Sequence, residues 1–237
     1  ELRASLALAG IFALRMLGLF LILPVFSIHA KSLSGGDQAL LVGLALGIYG
    51  FVQACLHIPL GMLSDKYGRR PVVVLGLALF VLGAFIAASH DDLVWITTGR
   101  AIQGAGAISA AVTAWLADLT REETRTRAMA MVGGSIALTF ALSLVVASPL
   151  HQSIGLDGMF NVMAFLGIGA LLIALFVVPE QSKSSQTPFT AKFSEVFFNK
   201  DLFRLNVGVL VLHAAQIALF LTLPRLLARA DLPLSAH

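Results

Sequence analysis

The chain has 237 residues, of which 58% are hydrophobic and 12% charged, with a net charge of +3 and a mean hydropathy of +0.89. So few charged side chains cannot coat a soluble globule, which excludes a soluble enzyme, a nucleic-acid binder and a secreted disulfide scaffold. Seven windows (4–30, 38–64, 71–90, 93–117, 128–156, 158–179 and 205–224) hold 170 residues but only two charges, Arg15 and Arg100, and the other 27 charges crowd into the remaining 67 residues.

A hydrocarbon core about 30 Å thick is crossed by about 20 residues of helix, and every window is that long. Transmembrane β-barrels use strands of about 10 residues that alternate in polarity, a pattern these windows lack. The predicted fold class is therefore all-α: a polytopic membrane protein of seven spans embedded in a lipid bilayer.

The first span carries Arg15. An arginine at mid-membrane costs about 2.5–3.5 kcal/mol on insertion scales, so it is expected to face a cavity or a partner, either for function or as packing glue. The second span carries Tyr49, Gln53 and His57 at four-residue spacing, together with the lone Cys55. One polar stripe on one helix face serves interhelical hydrogen bonds or substrate contacts. The loop that follows reads Gly61-Met62-Leu63-Ser64-Asp65-Lys66-Tyr67-Gly68-Arg69-Arg70-Pro71. Gly61 allows close helix approach, Gly68 a tight turn, and Pro71 suits the start of a helix. Asp65, Arg69 and Arg70 then form either a charged latch at the membrane surface or an ordinary basic loop.

The fourth span carries Arg100, Gln103 and Gly104-Ala105-Gly106. This glycine pair is expected to lie within a helix with no strand before it, so it does not form a phosphate cradle. The fifth span bears a second stripe, Ser135, Thr139 and Ser143. After residue 179 a polar, Pro-bounded linker begins, and apolar residues from Phe189 to Phe203 recur at the spacing of a helix lying in the interface plane. The seventh span contains His213 and Gln216. The expected organisation is a six-helix bundle over 1–179, a linker with an amphipathic helix over 180–203, and a seventh helix with a stub over 204–237. Short loops predict that consecutive helices pack as antiparallel neighbours. The chain opens on Glu1 and closes just past the seventh span, so it is expected to be part of a six-plus-six plan built from inverted three-helix repeats.

With one helix per window, eleven Lys and Arg fall on one membrane side and three (Lys31, Arg225 and Arg229) on the other. Short loops rich in Lys and Arg stay cytoplasmic, so the N-terminus is expected inside the cell. No signal peptide is distinguishable from the first span.

The spacing Gly61-x-x-x-Asp65-x-x-Gly68-Arg69-Arg70 resembles the signature loop, motif A, of the major facilitator superfamily, with Lys66 where the family usually has Arg. Arg100-Ala101-Ile102-Gln103-Gly104-Ala105-Gly106 resembles that family's second motif. With Phe12-Ala13-Leu14-Arg15-Met16-Leu17-Gly18 and Asp118-Leu119-Thr120-Arg121-Glu122, the chain is most similar to bacterial drug-efflux members. The resemblance covers nearly its whole length. It implies a latch in which Asp65 and Arg69 couple to Asp118 at the end of the fourth span, and it implies alternating access with spans one, four and seven around a cavity. It further implies a bacterial inner-membrane location, a small-molecule substrate and protons as the coupling ion. The antiporter motif expected in span five departs here: Pro149 follows Ser148 rather than Gly.

All 13 acidic residues lie outside the spans. A proton carrier within this chain would then be His57 or His213, either of which could equally be a neutral packing residue. No Walker loop, dinucleotide fingerprint or metal-spaced Cys/His cluster is found, so neither enzyme activity, a cofactor nor a metal is expected. Two alternatives remain open. Arg15 and Arg100, unopposed by a buried acid, would suit uptake or exchange of an anionic metabolite, and the same scaffold could serve as a non-transporting membrane sensor.

Overall fold

A computed structural model describes residues 1–179 and 199–229. They form helices, with no strand among them and one isolated bridge between Ser34 and Asp92. The first compact unit, Glu1–Gln181, contains α1 (Leu2–His29), α2 (Ala39–Tyr67), α3 (Arg69–Ala88), α4 (Leu93–Ala105), α5 (Ser109–Asp118) and α6 (Glu122–Phe176). The second, Ser182–His237, contains α7 (Lys200–Arg229).

Windows five and six are joined in α6, whose 55 residues contain a non-helical Gly155 at φ 70°, ψ −176°. A straight helix of that length would extend about 80 Å, far more than a bilayer core. Its contacts with α1 show instead two arms. On the first, Ser135 Oγ reaches Ala9 O, Phe140 meets Phe20 at 5.1 Å between ring centroids, and His151 meets His29, so this arm runs parallel to α1. On the second, Met163 packs at Gly18, Gly169 at Leu14 and Ile173 at Gly10, so that arm runs antiparallel. The chain reverses at Gly155, where only glycine adopts such dihedrals without strain.

Consecutive helices are not uniformly principal neighbours. α3 does pack on α4, but α1 lies chiefly along α6, and α2 chiefly along α4. The reason is close backbone approach at small residues, which sets helix pairing in membranes more than loop length does. A Cβ on Gly83 would sit 2.4 Å from Gly99 O, and one on Gly104 2.4 Å from Tyr49 O. Two apolar clusters result. One joins Phe26, Phe80, Leu93 and Phe160; the other, towards the N-terminal end of α1, joins Leu8, Leu77, Trp115 and Ala174. The polar residues Arg15, Arg100 and Gln103 are buried with them.

The fourth window is not one helix. α4 stops at Ala105, and α5 starts at Ser109. The expectation that Gly104-Ala105-Gly106 lies inside a helix holds for Gly104 and Ala105, the last two residues of α4, and is corrected at Gly106, which follows its end. Gly106 is pressed against α3 so closely that a Cβ would lie 2.2 Å from Gly76 O, and the backbone turns there to allow it.

In the second unit, α7 begins five residues before its window, with Asn199 Oδ1 accepting from Asp201 N at 3.0 Å. Residues 189–198 of the expected interfacial helix lie outside the described residues, and 200–203 belong to the first turn of α7.

Candidate functional site

The turn between α2 and α3 is made by Gly68 at φ 101°, a conformation that a side chain strains. It folds Arg69 back over the last turn of α2. Arg69 pairs with Asp65 four residues earlier, donates from Nη1 to Ser64 Oγ at 2.8 Å, and donates from Nε to Asp118 Oδ2 at 3.0 Å. Ser64 is fully buried and its hydroxyl donates in turn to Gly61 O at 2.7 Å. Three of the residues singled out in the sequence, Asp65, Arg69 and Asp118, are therefore brought together around one guanidinium. Ser64 joins them unforeseen, because a serine beside an acid carries no signal of its own in the sequence.

Arg70 turns elsewhere, donating to Leu175 O in the last turn of α6, where a cation satisfies carbonyls that the helix end leaves open. Lys66 lies over the Tyr67 ring at 5.3 Å. Gly61 faces Ala110 at ordinary packing distance, 3.7 Å from a built Cβ. Around the same end of the bundle, Arg121 Nε meets Glu1 Oε1 at 2.9 Å. The Asp65 side chain remains 53% exposed and that of Asp118 24%. Ion pairs so hydrated contribute about 0–1 kcal/mol each, which suits a contact that must form and break.

The second group lies in the interior. Arg15 is fully buried and donates from Nη2 to Tyr49 Oη at 2.8 Å and to Gly106 O at 3.1 Å, and from Nη1 to Ser109 Oγ at 3.4 Å. Its guanidinium also stands 5.6 Å from the Phe80 ring centre. Arg15 thereby caps the break between α4 and α5, where a carbonyl loses its helical partner. Arg100 is nearly as buried. It lies over the Tyr49 ring at 5.0 Å and donates to Gln103 Oε1 at 3.2 Å, and Gln103 Nε2 reaches Met163 Sδ at 2.8 Å. Tyr49 is thus shared: its hydroxyl serves one arginine and its face the other.

Of the α2 stripe, Tyr49 is bound in this way. Gln53 is half-buried on the same helix, and His57 is half-buried within electrostatic reach of Arg15. The side chains of His213 and Gln216 lie outside the described residues. In the α6 stripe, Thr139 and Ser143 bond back to the carbonyls of Ile136 and Phe140 on their own helix. Only Ser135 reaches across, to Ala9 O at 3.3 Å. The expected interhelical stripe is thus largely local, since a hydroxyl can bond its own preceding turn at no packing cost.

The family profile described as Major Facilitator Superfamily matches residues 8–236. The inner membrane transport protein YajR of Escherichia coli strain K12 is 42% identical over 241 residues, covering 100% of this chain and 53% of that protein. The class C tetracycline resistance protein of Escherichia coli is 28% identical, covering 92% of this chain and 54% of its own length. Among solved structures, the human organic anion transporter MFSD10 superposes with a TM-score of 0.64 at 23% identity, over 76% of this chain and 48% of that one. The chain spans about half the length of these relatives.

Proposed function

This chain belongs to the major facilitator superfamily, a family of membrane transporters rather than enzymes, and we propose from that premise that it acts in proton-coupled efflux of drug-like small molecules by alternating access. The observation that carries the mechanism is the three-way contact of Arg69 with Asp65, Ser64 and Asp118. A single guanidinium tying α2 and α3 to the end of α5 holds that end of the bundle in one arrangement. Because its partners are partly hydrated, the contact can be exchanged for others during a transport cycle without a large barrier. In this reading Asp65, Arg69 and Asp118 form a latch on the cytoplasmic side of a bacterial inner membrane, with Gly61 and Gly68 as packing and turn positions, and the N-terminus lies inside. The efflux direction is supported by a relative described as a tetracycline resistance protein.

A second reading has its own observation. Among the described residues, the hydrogen-bond acceptors of Arg15 and Arg100 are all neutral, so the two buried positive charges have no acidic partner there. An anionic substrate would offset them. One experiment addresses both: flux by the full-length transporter in liposomes, with an imposed proton gradient and with competition by lipophilic cations or by small organic anions. Flux that follows the gradient and yields to lipophilic cations supports efflux of drug-like compounds. Flux indifferent to the gradient and blocked by anions overturns it.

A further inference from the structure

The two helices of the fourth span are held in different ways. A Cβ on Gly99 would fall 2.5 Å from Gly83 O of α3, one on Gly104 2.4 Å from Tyr49 O of α2, and one on Gly106 2.2 Å from Gly76 O of α3. α4 and the residue after it are therefore seated backbone to backbone against their neighbours. α5 contains no glycine. Its buried face is Ala111, Val112, Trp115 and Leu116, and Trp115 packs in the cluster of Leu8 and Leu77, so side chains hold it. Ile108, at its N-cap, makes no side-chain capping bond. The polar side chain that reaches the break comes from α1: Arg15 donates to Gly106 O at 3.1 Å and to Ser109 Oγ at 3.4 Å.

The other end of α5 lies ten residues on, about 15 Å along the axis. There Asp118 Oδ2 accepts from Arg69 Nε at 3.0 Å, and Arg125 Nη2 of α6 reaches Ala117 O at 3.3 Å. α5 is thus a short rod with an arginine from a different helix at each end, Arg15 in the interior and Arg69 at the membrane surface. A helix this short, tied by its own backbone bonds, shifts as one piece. Displacement of Ser109 is therefore carried to Asp118, which is the physical requirement for coupling through a rigid element.

We propose that Arg15 is a positioning residue for the surface latch: by holding the start of α5 it sets where Asp118 meets Arg69. The proposal rests on reading Arg69 and Asp118 as a latch. Arginine suits the task because its planar fork serves Tyr49 Oη, Gly106 O and Ser109 Oγ together, which the point charge of a lysine does not. The bonds to Tyr49 at 2.8 Å and Gly106 at 3.1 Å keep the guanidinium in place. The bond to Ser109, at 3.4 Å, is long and weak enough to be given up. What Arg15 holds in the interior is then felt at Arg69 on the surface.

The test is hydrogen exchange of the full-length transporter in lipid nanodiscs, read segment by segment, since exchange reports local opening. The segment to follow is the last turn of α5, where Leu119 N donates to Trp115 O at 3.1 Å. Arg15→Lys is expected to speed exchange there at least about threefold, the size of one lost hydrogen bond, and Asp118→Asn to do the same. The double variant should fall short of the product of the two effects by more than about twofold, beyond the scatter of independent sites. Thr98→Ala, which removes a bond only within α4, should leave the α5 end unchanged. If Arg15→Lys does not fold, Ser109→Ala takes its place, since it removes one acceptor and leaves the other two. Faster exchange confined to residues 106–109, or effects that simply multiply, overturns the proposal. The readout needs no substrate flux, so its failure leaves the transport reading standing, and failure of that reading leaves the coupling measurable.

Discussion

Arg69 Nε donates to Asp118 Oδ2 at 3.0 Å, joining the first residue of α3 to the last residue of α5. The two residues are 49 positions apart in the chain, so this bond reports directly on whether α3 and α5 keep their arrangement. Asp118→Asn keeps the shape of the side chain but removes the charge. Export by the full-length transporter is expected to fall at least about tenfold, equivalent to about 1.4 kcal/mol or more at 25 °C, with unchanged protein in the membrane fraction. Normal export by this variant would sink the latch.

Tyr49 allows its two contacts to be separated. Tyr49→Phe removes the acceptor of Arg15 Nη2 but keeps the ring beneath Arg100. The loss is expected to be about 1–2 kcal/mol, since a buried donor then lacks one partner. Tyr49→Ala removes both contacts and leaves a cavity, at a cost of about 3–5 kcal/mol. Thermal unfolding in detergent of the two variants, compared at equal protein and detergent concentration, checks the order. Equal losses would show that the hydroxyl carries the whole effect.

The crossing of α3 and α4 depends on having no side chain at its centre. A Cβ at Gly83 would fall 2.4 Å from Gly99 O and 2.7 Å from Gln103 N, both backbone atoms that cannot step aside. Gly83→Val is expected to destabilise by about 3 kcal/mol or more through overpacking. Gly10→Ala is the control, because its nearest neighbour is a side-chain carbon of Ile173 at 3.9 Å. That variant should stay within about 0.5 kcal/mol of the parent in the same thermal assay.

Gly155 tests backbone strain apart from packing. Nothing lies within 4 Å of a Cβ built there, yet its φ of 70° and ψ of −176° suit glycine alone. Gly155→Ala should therefore cost about 1–3 kcal/mol with no steric cause. An unchanged melting temperature would mean that the reversal of α6 tolerates another geometry.

What could be read beforehand follows from which physical signals are local. The absence of charge over 20 or more consecutive residues is local, and the windows of α1, α2 and α3 match helices to within a few residues at their starts. The grouping of Asp65, Arg69 and Asp118 is legible only through a resemblance carried by spacing, and the structure gives the contact its atoms. The break after Ala105 is not legible in the sequence because it lies where Gly106 meets Gly76 of another helix, and no windowed count of polarity sees a neighbour. The pairing of α1 with α6 was missed for the same reason: Gly18 and Met163 meet across a separation that loop lengths do not encode. Ser64 and the His29–His151 pair were invisible because a single serine, or two histidines 122 residues apart, form no pattern until the chain is folded.

The lie of α1 against both arms of α6 has a consequence for biosynthesis. Ala9 finds Ser135 only after 126 further residues have been made, and Gly10 meets Ile173 later still. α1 is thus made well before α6, the helix it chiefly lies along. Until then Arg15, whose acceptors Tyr49, Gly106 and Ser109 also arrive afterwards, must wait in the translocon or at the lipid boundary as an unsatisfied cation. Inserted alone, α1 therefore carries a mid-membrane cation that only later helices satisfy.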